Sequence, residues 1–265
     1  MKLLVLHGWG QSAEEMAQVA GRPSGRGEKL KKGSLAKSLQ DELGCELVFA
    51  GAPHRLPRAS TVMIDGISAT LDDSPLTNKE ERAWFYYSAS DPRDCLLDGS
   101  PDAPGFLAEV DRNYTGWQQS VETLERIWEE SGPFDGVLGF SQGAVMAHIL
   151  CWLGEISCEE STVQDSDCFR VWRNLKLAIF CSGFPSRLPH MRLDQCRVLK
   201  LPSLHISGTH DKNVPPEHQR ALCACFAGAE LYTHDHPRGH VLPQKAADRA
   251  KLVAFIRRVE RDGFA

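Results

Sequence analysis

Gly139-Phe140-Ser141-Gln142-Gly143 is the stretch of this sequence with the most specific chemical meaning. A G-x-S-x-G pentapeptide suits a tight strand-to-helix turn that lifts the serine hydroxyl clear of a sheet edge, and side chains at Gly139 and Gly143 would collide in such a turn. A serine hydroxyl is a poor nucleophile unless a base takes its proton, and the base needs an acid to orient it. Asp211 stands downstream in Gly208-Thr209-His210-Asp211, after the apolar run LHISG. His240 stands in Pro237-Arg238-Gly239-His240, after AELYTH. Nucleophile, acid and histidine in that order, the last two each following a strand-like run, fit a nucleophile-elbow mechanism. His234 and His236 are rivals for the base in the same loop, while Asp235 and His210 fall several residues off the expected positions. A turn or helix-cap aspartate is the plain alternative for Asp211. Acyl transfer also requires two donors for an oxyanion. The backbone N–H of Gln142 is one candidate. The other is the N–H of Trp9, in His7-Gly8-Trp9-Gly10, where Gly8 lets the backbone turn toward Ser141. A strand-end turn is the alternative for that loop, and the Trp9 indole is a candidate wall of an acyl pocket.

These residues need elements to hold them. Short apolar runs alternate with helix-period segments, the pattern of a mostly parallel sheet with helices on both faces. Strands are expected at LLVL (3–6), ELVFA (46–50), AWFYY (83–87), DGVLGF (135–140), LKLAIFCSG (175–183), LHISG (204–208) and AELYTH (229–234), seven in all. Leu35, Leu39 and Leu43 share one helix face, as do Trp117, Val121, Leu124, Ile127 and Trp128, and again Leu252, Phe255, Ile256 and Val259. Residues 142–153 are apolar almost all round, which predicts a helix buried on both sides. Pro215-Pro216 suits a helix start. Ser141 thus falls between a buried strand and a buried helix, whose N-terminus brings positive potential and N–H groups to the serine.

Two stretches break the rhythm. Residues 21–33 are rich in Gly, Lys and Arg and read as an exposed loop, and 53–113 is long and proline-containing, as lids and binding loops are. With no repeat and no linker, the expectation is a single α/β domain over 1–265, carrying a lid-like or substrate-binding insertion at 53–113.

Composition narrows the function. With 42% hydrophobic and 25% charged residues, the chain is neither disordered nor collagen-like. Thirty basic against thirty-five acidic side chains argue against a nucleic-acid or anionic-lipid binder. No apolar run approaches the ~20 residues of a membrane span. Nine cysteines form no CxxC pair, and Cys223-x-Cys225 is too close for zinc-knuckle spacing. Cys151 and Cys181 lie in apolar runs, where a thiol behaves as a small hydrophobe. The apolar start at Leu3 stops at His7, too short for a secretory signal. A reducing, cytoplasmic setting is expected, with no cofactor and no metal.

LHGWGQSA (6–13), KGSL (32–35), GPFDGVLGFSQGAVMA (132–147), CSGFP (181–185), LPSLHISGTHDKNVP (201–215) and HPRGHVLP (236–243) together resemble the FSH-type serine hydrolases over nearly the whole chain. The resemblance implies an α/β-hydrolase fold, a triad on Ser141, Asp211 and His240, and esterase activity toward acyl esters, with medium or long chains favoured by some members. It also implies an alternative, because fungal relatives release polyketides from carrier proteins as thioesterases. The basic stretch at 21–31 and the segment 53–113 depart from the family, so substrate identity is where the resemblance carries least.

The expected function is a serine carboxylesterase acting through an acyl-enzyme. The alternative is a thioesterase on a carrier-protein or coenzyme A thioester, which Arg22, Arg26, Lys29, Lys31 and Lys32 would meet unless they form only a solvated loop. A ligand-binding module on a hydrolase scaffold is the reading from another class. A metal-dependent hydrolase would have to use His234, His236 and His240, but no HExxH or paired carboxylate accompanies them.

Overall fold

Strands that are apolar along their whole length are stable only in a sheet covered on both faces. The computed structural model has such a sheet; it describes residues 1–22, 29–56, 62–64, 67–69, 80–86, 114–157, 170–188, 191, 198–226 and 231–262. In chain order the strands are β1 (Lys2–Leu6), β2 (Glu46–Ala50), β3 (His54–Arg55), β4 (Val62–Ile64), β5 (Ile67–Ala69), β6 (Arg82–Ala83), β7 (Gly136–Phe140), β8 (Leu177–Cys181), β9 (Ser203–Gly208) and β10 (Leu231–His236). Six of them form one sheet in the order β10-β9-β8-β7-β1-β2, and every neighbouring pair is parallel. From β1 the chain passes to β2 on one side and then to β7 on the other. The C-terminal ends of β1 and β7 therefore flank a switch point, where open α/β sheets place their ligands.

Alternation along β1 sorts the core into two layers. Leu4 and Leu6 face one cluster and Leu3 and Val5 the other. The first cluster is closed by the helices Trp117–Ser131 and Gln142–Ser157. The second is closed by Ala13–Val19, Leu35–Leu43 and Ala246–Asp262, to which Met16, Leu39, Leu252, Phe255 and Ile256 contribute. Removing one such side chain to alanine costs ~2–5 kcal/mol. Helix starts and stops follow local chemistry. Ser12 accepts from the Glu15 N–H while the Glu15 carboxylate accepts from the Ser12 N–H, a capping box worth about 1 kcal/mol. Ser34 caps the second helix, and Gly44 ends it in the left-handed conformation. Pro215 and Pro216 open the helix Pro216–Cys223.

One expected strand is absent from the sheet. AWFYY contributes only Ala83 to a strand, where β6 pairs antiparallel with β3, and Tyr86 bridges to Thr115; Tyr87 lies outside the described residues. Trp84 and Phe85 are fully buried, which is why the run reads as core, yet their backbone is held by a side chain and not by a strand. The central sheet thus has six strands where seven were expected. Most of 53–113, including Phe106, and Arg26 of the basic loop also lie outside the described residues. Among the described residues, Cys45, Cys151, Cys181, Cys223 and Cys225 are free thiols, and no helix is long and apolar enough to cross a membrane.

Candidate active site

Ser141 follows β7 directly and has φ 54°, one of two non-glycine residues at positive φ among those described. Its N–H donates to Cys181 O (3.0 Å), and its carbonyl accepts from the Ala144 N–H (2.9 Å) and, less tightly, the Val145 N–H (3.3 Å). The flanking glycines are required by space. A Cβ on Gly139 would lie 2.5 Å from Ala144 Cα, and one on Gly143 2.5 Å from His7 O, backbone atoms that have no room to yield. The helix Gln142–Ser157 starts at once, so its N-terminal N–H groups and positive end lie beside the serine.

Asp211 and His240 come from the loops after β9 and β10, which pair as far as His236↔Gly208. Beyond that point the loops clamp each other. The Thr209 N–H donates to His236 O (3.0 Å) and the His210 N–H to Arg238 O (3.1 Å), while a Cβ on Gly208 would lie 2.6 Å from Arg238 O. The result is a hydrogen bond of 2.8 Å between His240 Nδ1 and Asp211 Oδ2. The other carboxylate oxygen accepts from the Asn213 N–H (3.0 Å) and the Val214 N–H (2.9 Å). Burial alone would raise the Asp211 carboxyl, but the hydrogen bond and charge of His240 and the Val214 N–H outweigh it and hold the group below the ordinary carboxylate value. The Phe140 ring lies 4.9 Å from the His240 imidazole, so the residue before Ser141 packs on the ring that Asp211 orients.

The rival histidines go elsewhere. His234 Nε2 is 3.0 Å from Asp248 Oδ1. His236 is buried, and neither of its ring nitrogens has a partner among the described residues. Asp248, on the C-terminal helix, also accepts from Arg238 and from the Lys245 N–H. Asp248 and Arg238 are thus supports of the His240 loop that sequence reasoning missed; an aspartate in the first turn of a helix was the only signal.

Residues 7–11 lie beside the elbow, and a Cβ on Gly8 would sit 3.2 Å from Ser141 Cβ. His7 is fully buried, and its Nε2 accepts the Ala52 N–H (3.1 Å), which leaves Nδ1–H to donate to Gly8 O (2.8 Å). Burial holds this imidazole below its ordinary pKa and so in the neutral form. The Gly8 N–H donates to Gln11 Oε1 (2.8 Å). Gly10 and Gln11 form a bridge to Arg82, and the Trp84 indole donates to His7 O (2.8 Å). The Gln142 side chain, also unforeseen, brackets the backbone of Trp84 and Phe85. The Trp9 ring meets Tyr86 edge-on at 6.4 Å, with His54 on the same tyrosine at 5.3 Å.

This geometry can be set beside known proteins. Esterase OVCA2 of Danio rerio is 29% identical over 261 residues, which span 98% of both chains. Esterase OVCA2 of Mus musculus is 31% identical over 238 residues, 89% of this chain and 91% of the mouse protein. Among solved structures, a variant of Arabidopsis thaliana SOBER1 has a TM-score of 0.54 at 18% identity, covering 98% of this chain and 99% of that one. The esterase PE8 has a TM-score of 0.51 at 18% identity, over 97% of this chain and 92% of that chain. At such identity the likeness shows the fold, an α/β hydrolase. The profile of the Serine hydrolase (FSH1) family matches residues 1–252, so elbow, acid loop and histidine loop all fall inside it, and the chain belongs to that family of hydrolases.

Proposed function

We propose that the protein is a carboxylic ester hydrolase using Ser141 as nucleophile, His240 as base and Asp211 as the orienting acid. The observation that carries this reading is the Asp211–His240 hydrogen bond, formed beside an elbow whose serine is held at positive φ. His240 takes the Ser141 proton as the hydroxyl attacks the ester carbonyl, then returns it to the leaving alcohol. An acyl-enzyme remains, which water activated by His240 hydrolyses. Asp211 holds the proton of His240 on Nδ1, leaving Nε2 to work as the base. The Gln142 N–H, in the first turn of its helix, is one oxyanion donor. The second donor in this reading is the Trp9 N–H, on the loop whose Gly8 lies against the elbow, where a Cβ would fall 3.2 Å from Ser141 Cβ. A single domain over 1–265, with 53–113 as the substrate-binding insertion, is consistent with a sheet that draws strands from residue 2 to residue 236.

Ester and thioester cleavage use the same groups, so the substrate is decided by assay. Fluorophosphonate labelling of wild type and Ser141→Ala, with p-nitrophenyl esters of two to sixteen carbons and the matching acyl-thioesters, is the direct test. Labelling confined to wild type and a chain-length optimum on the esters are expected. Substantial turnover by a folded Ser141→Ala protein would remove Ser141 from the mechanism. Faster thioester turnover that falls when Arg22, Lys29, Lys31 and Lys32 are neutralised would point to a carrier-bound thioester.

A further inference from the structure

The two candidate oxyanion donors stand on different elements, the loop after β1 and the helix after β7. The β1–β7 ladder reaches only to Leu6↔Gly139, so it does not itself fix the spacing of Trp9 and Gln142. Gly143 packs directly against His7 O, and residues 82–85 add a second tie between the two elements. On one side they hold the 7–11 loop: the Gly10 N–H donates to Arg82 O (3.0 Å), the Arg82 N–H to Gln11 O (3.2 Å), and the Trp84 indole to His7 O (2.8 Å). On the other side they hold the elbow helix through a single side chain. Gln142 Oε1 accepts the Trp84 N–H and Gln142 Nε2 donates to Phe85 O, both at 2.8 Å. The Ser120 hydroxyl, donating to Trp84 O, anchors the segment from behind.

The geometry points to the Gln142 carboxamide as a positioning group of the oxyanion site: by bracketing Trp84 and Phe85, it sets the separation between the Gln142 N–H and the Trp9 N–H. This inference rests on the reading above, in which Ser141 attacks and these two N–H groups receive the oxyanion. Three features support it. Gln142 is fully buried, where a polar side chain is costly unless its hydrogen bonds are made. A carboxamide offers an acceptor and a donor side by side, the pair that the Trp84 N–H and the Phe85 carbonyl require; an ionised glutamate offers acceptors alone and would repel Phe85 O. The bracketed segment is also the one that carries the opposite donor loop, so loss of the bracket changes a distance and not merely a contact.

The test compares wild type, Gln142→Met and Gln142→Glu, each of which keeps the backbone N–H. For each protein, kcat and KM on a p-nitrophenyl ester are measured beside the inhibition constant of a trifluoromethyl ketone, which forms a tetrahedral oxyanion on the serine. A ground-state competitor, the product carboxylic acid, and thermal unfolding complete the set. Expected for both variants is a kcat lower by about 10- to 100-fold with KM within about threefold. Ketone affinity should fall by the same factor as kcat/KM, and in Gln142→Met, which adds no titratable group, product affinity and the pH profile should be unchanged. A folded Gln142→Met protein whose kcat and ketone affinity stay within threefold of wild type would overturn the inference and leave the bracket as core packing. Losses in kcat without the parallel loss in ketone affinity would overturn it as well. If neither variant folds, Trp84→Phe, which removes the indole link to His7 O together with part of a buried ring, must show the same parallel losses for the inference to stand. Failure of the underlying reading is distinguishable, because wild type would then show no labelling at Ser141.

Discussion

Ser141 holds a left-handed backbone conformation, which costs a residue with a Cβ roughly 1–2 kcal/mol and glycine almost nothing. Such strain persists only where neighbours over-determine it, here through hydrogen bonds to Cys181 O and from Ala144 and Val145. Replacement by glycine and by alanine therefore separates strain from chemistry. Both variants should lose activity, but Ser141→Gly should be more stable than Ser141→Ala by about 1 kcal/mol in urea unfolding. Equal midpoints would mean that the elbow stores no strain. Asp211 allows a second separation. In Asp211→Asn, Oδ1 can still accept from Asn213 and Val214, but an amide N–H then faces His240 Nδ1 and selects the wrong tautomer. A drop in kcat of about 10³- to 10⁴-fold with little change in Tm is expected. A loss of less than tenfold would take Asp211 out of that role. Since burial is outweighed and the Asp211 carboxyl is held low, it stays ionised through the assay range, and its own titration should add no limb to the activity profile between pH 5 and 8. Two limbs in that range would contradict the assignment.

At the scale of elements, the histidine is placed by a loop that is itself fastened to a helix. Asp248 in the first turn of Ala246–Asp262 holds His234, Arg238 and the Lys245 N–H, and Arg238 O receives the His210 N–H beside Asp211. Burial opposes ionisation of Asp248, but the His234 hydrogen bond, the Arg238 charge and the Lys245 N–H keep its carboxyl low. Asp248→Asn leaves the partly exposed Arg238 without its counter-charge. Removing one partner of a buried pair costs ~3–5 kcal/mol, which the exposure of the guanidinium reduces to about 1–3 kcal/mol here. Urea unfolding should show that loss together with a lower kcat, since the strand-loop-helix unit carries His240. An Asp248→Asn protein as stable and active as wild type would show that the β9 and β10 loops hold Asp211 and His240 unaided.

Over the whole molecule, the core carries imidazoles that burial keeps in the neutral form. Burial pushes His148 down to about 3, and burial together with the nearby His148 pushes His205 down to about 3. His148 Nδ1 accepts the Ser186 N–H, His205 Nε2 meets Ser203 Oγ, and Phe226 packs against both rings at 5.6 and 5.4 Å. Unfolded, each imidazole takes up a proton below about pH 6.5; folded, neither does until about 3. The unfolded chain therefore binds more protons between those limits, and stability must fall as the pH is lowered through them. The slope is up to ~1.4 kcal/mol per pH unit for each imidazole, and the depressed carboxyls of Asp211 and Asp248 add to it below about pH 4. Urea unfolding at pH 7.5, 6.0, 5.0 and 4.5 should show a steady fall, and an unchanged stability from 7.5 to 5.0 would mean that these imidazoles are not held neutral.

The parallel sheet, its covering helices and the elbow were legible in the sequence because each depends on local pattern. Apolar runs, four-residue spacings and G-x-S-x-G carry their own geometry, and the glycines that the turn demands are those an added Cβ would drive into backbone. The order of Asp211 and His240 after two strand-like runs was also readable, since adjacent parallel strands deliver their loops to one edge of the sheet. His240 was singled out over His234 and His236 by its place in the loop, but which carboxylates they meet was not readable: His234 meets Asp248 and His240 meets Asp211 only once β10 and the C-terminal helix are packed. The burial of Ala83, Trp84 and Phe85 was legible, but their place beside the elbow was not, because their backbone partners include a glutamine side chain fifty-eight residues away. Hydrophobicity along a chain says which residues leave water. Which groups then meet is decided only when distant segments close on one another, since a hydrogen bond between them leaves no periodicity in either.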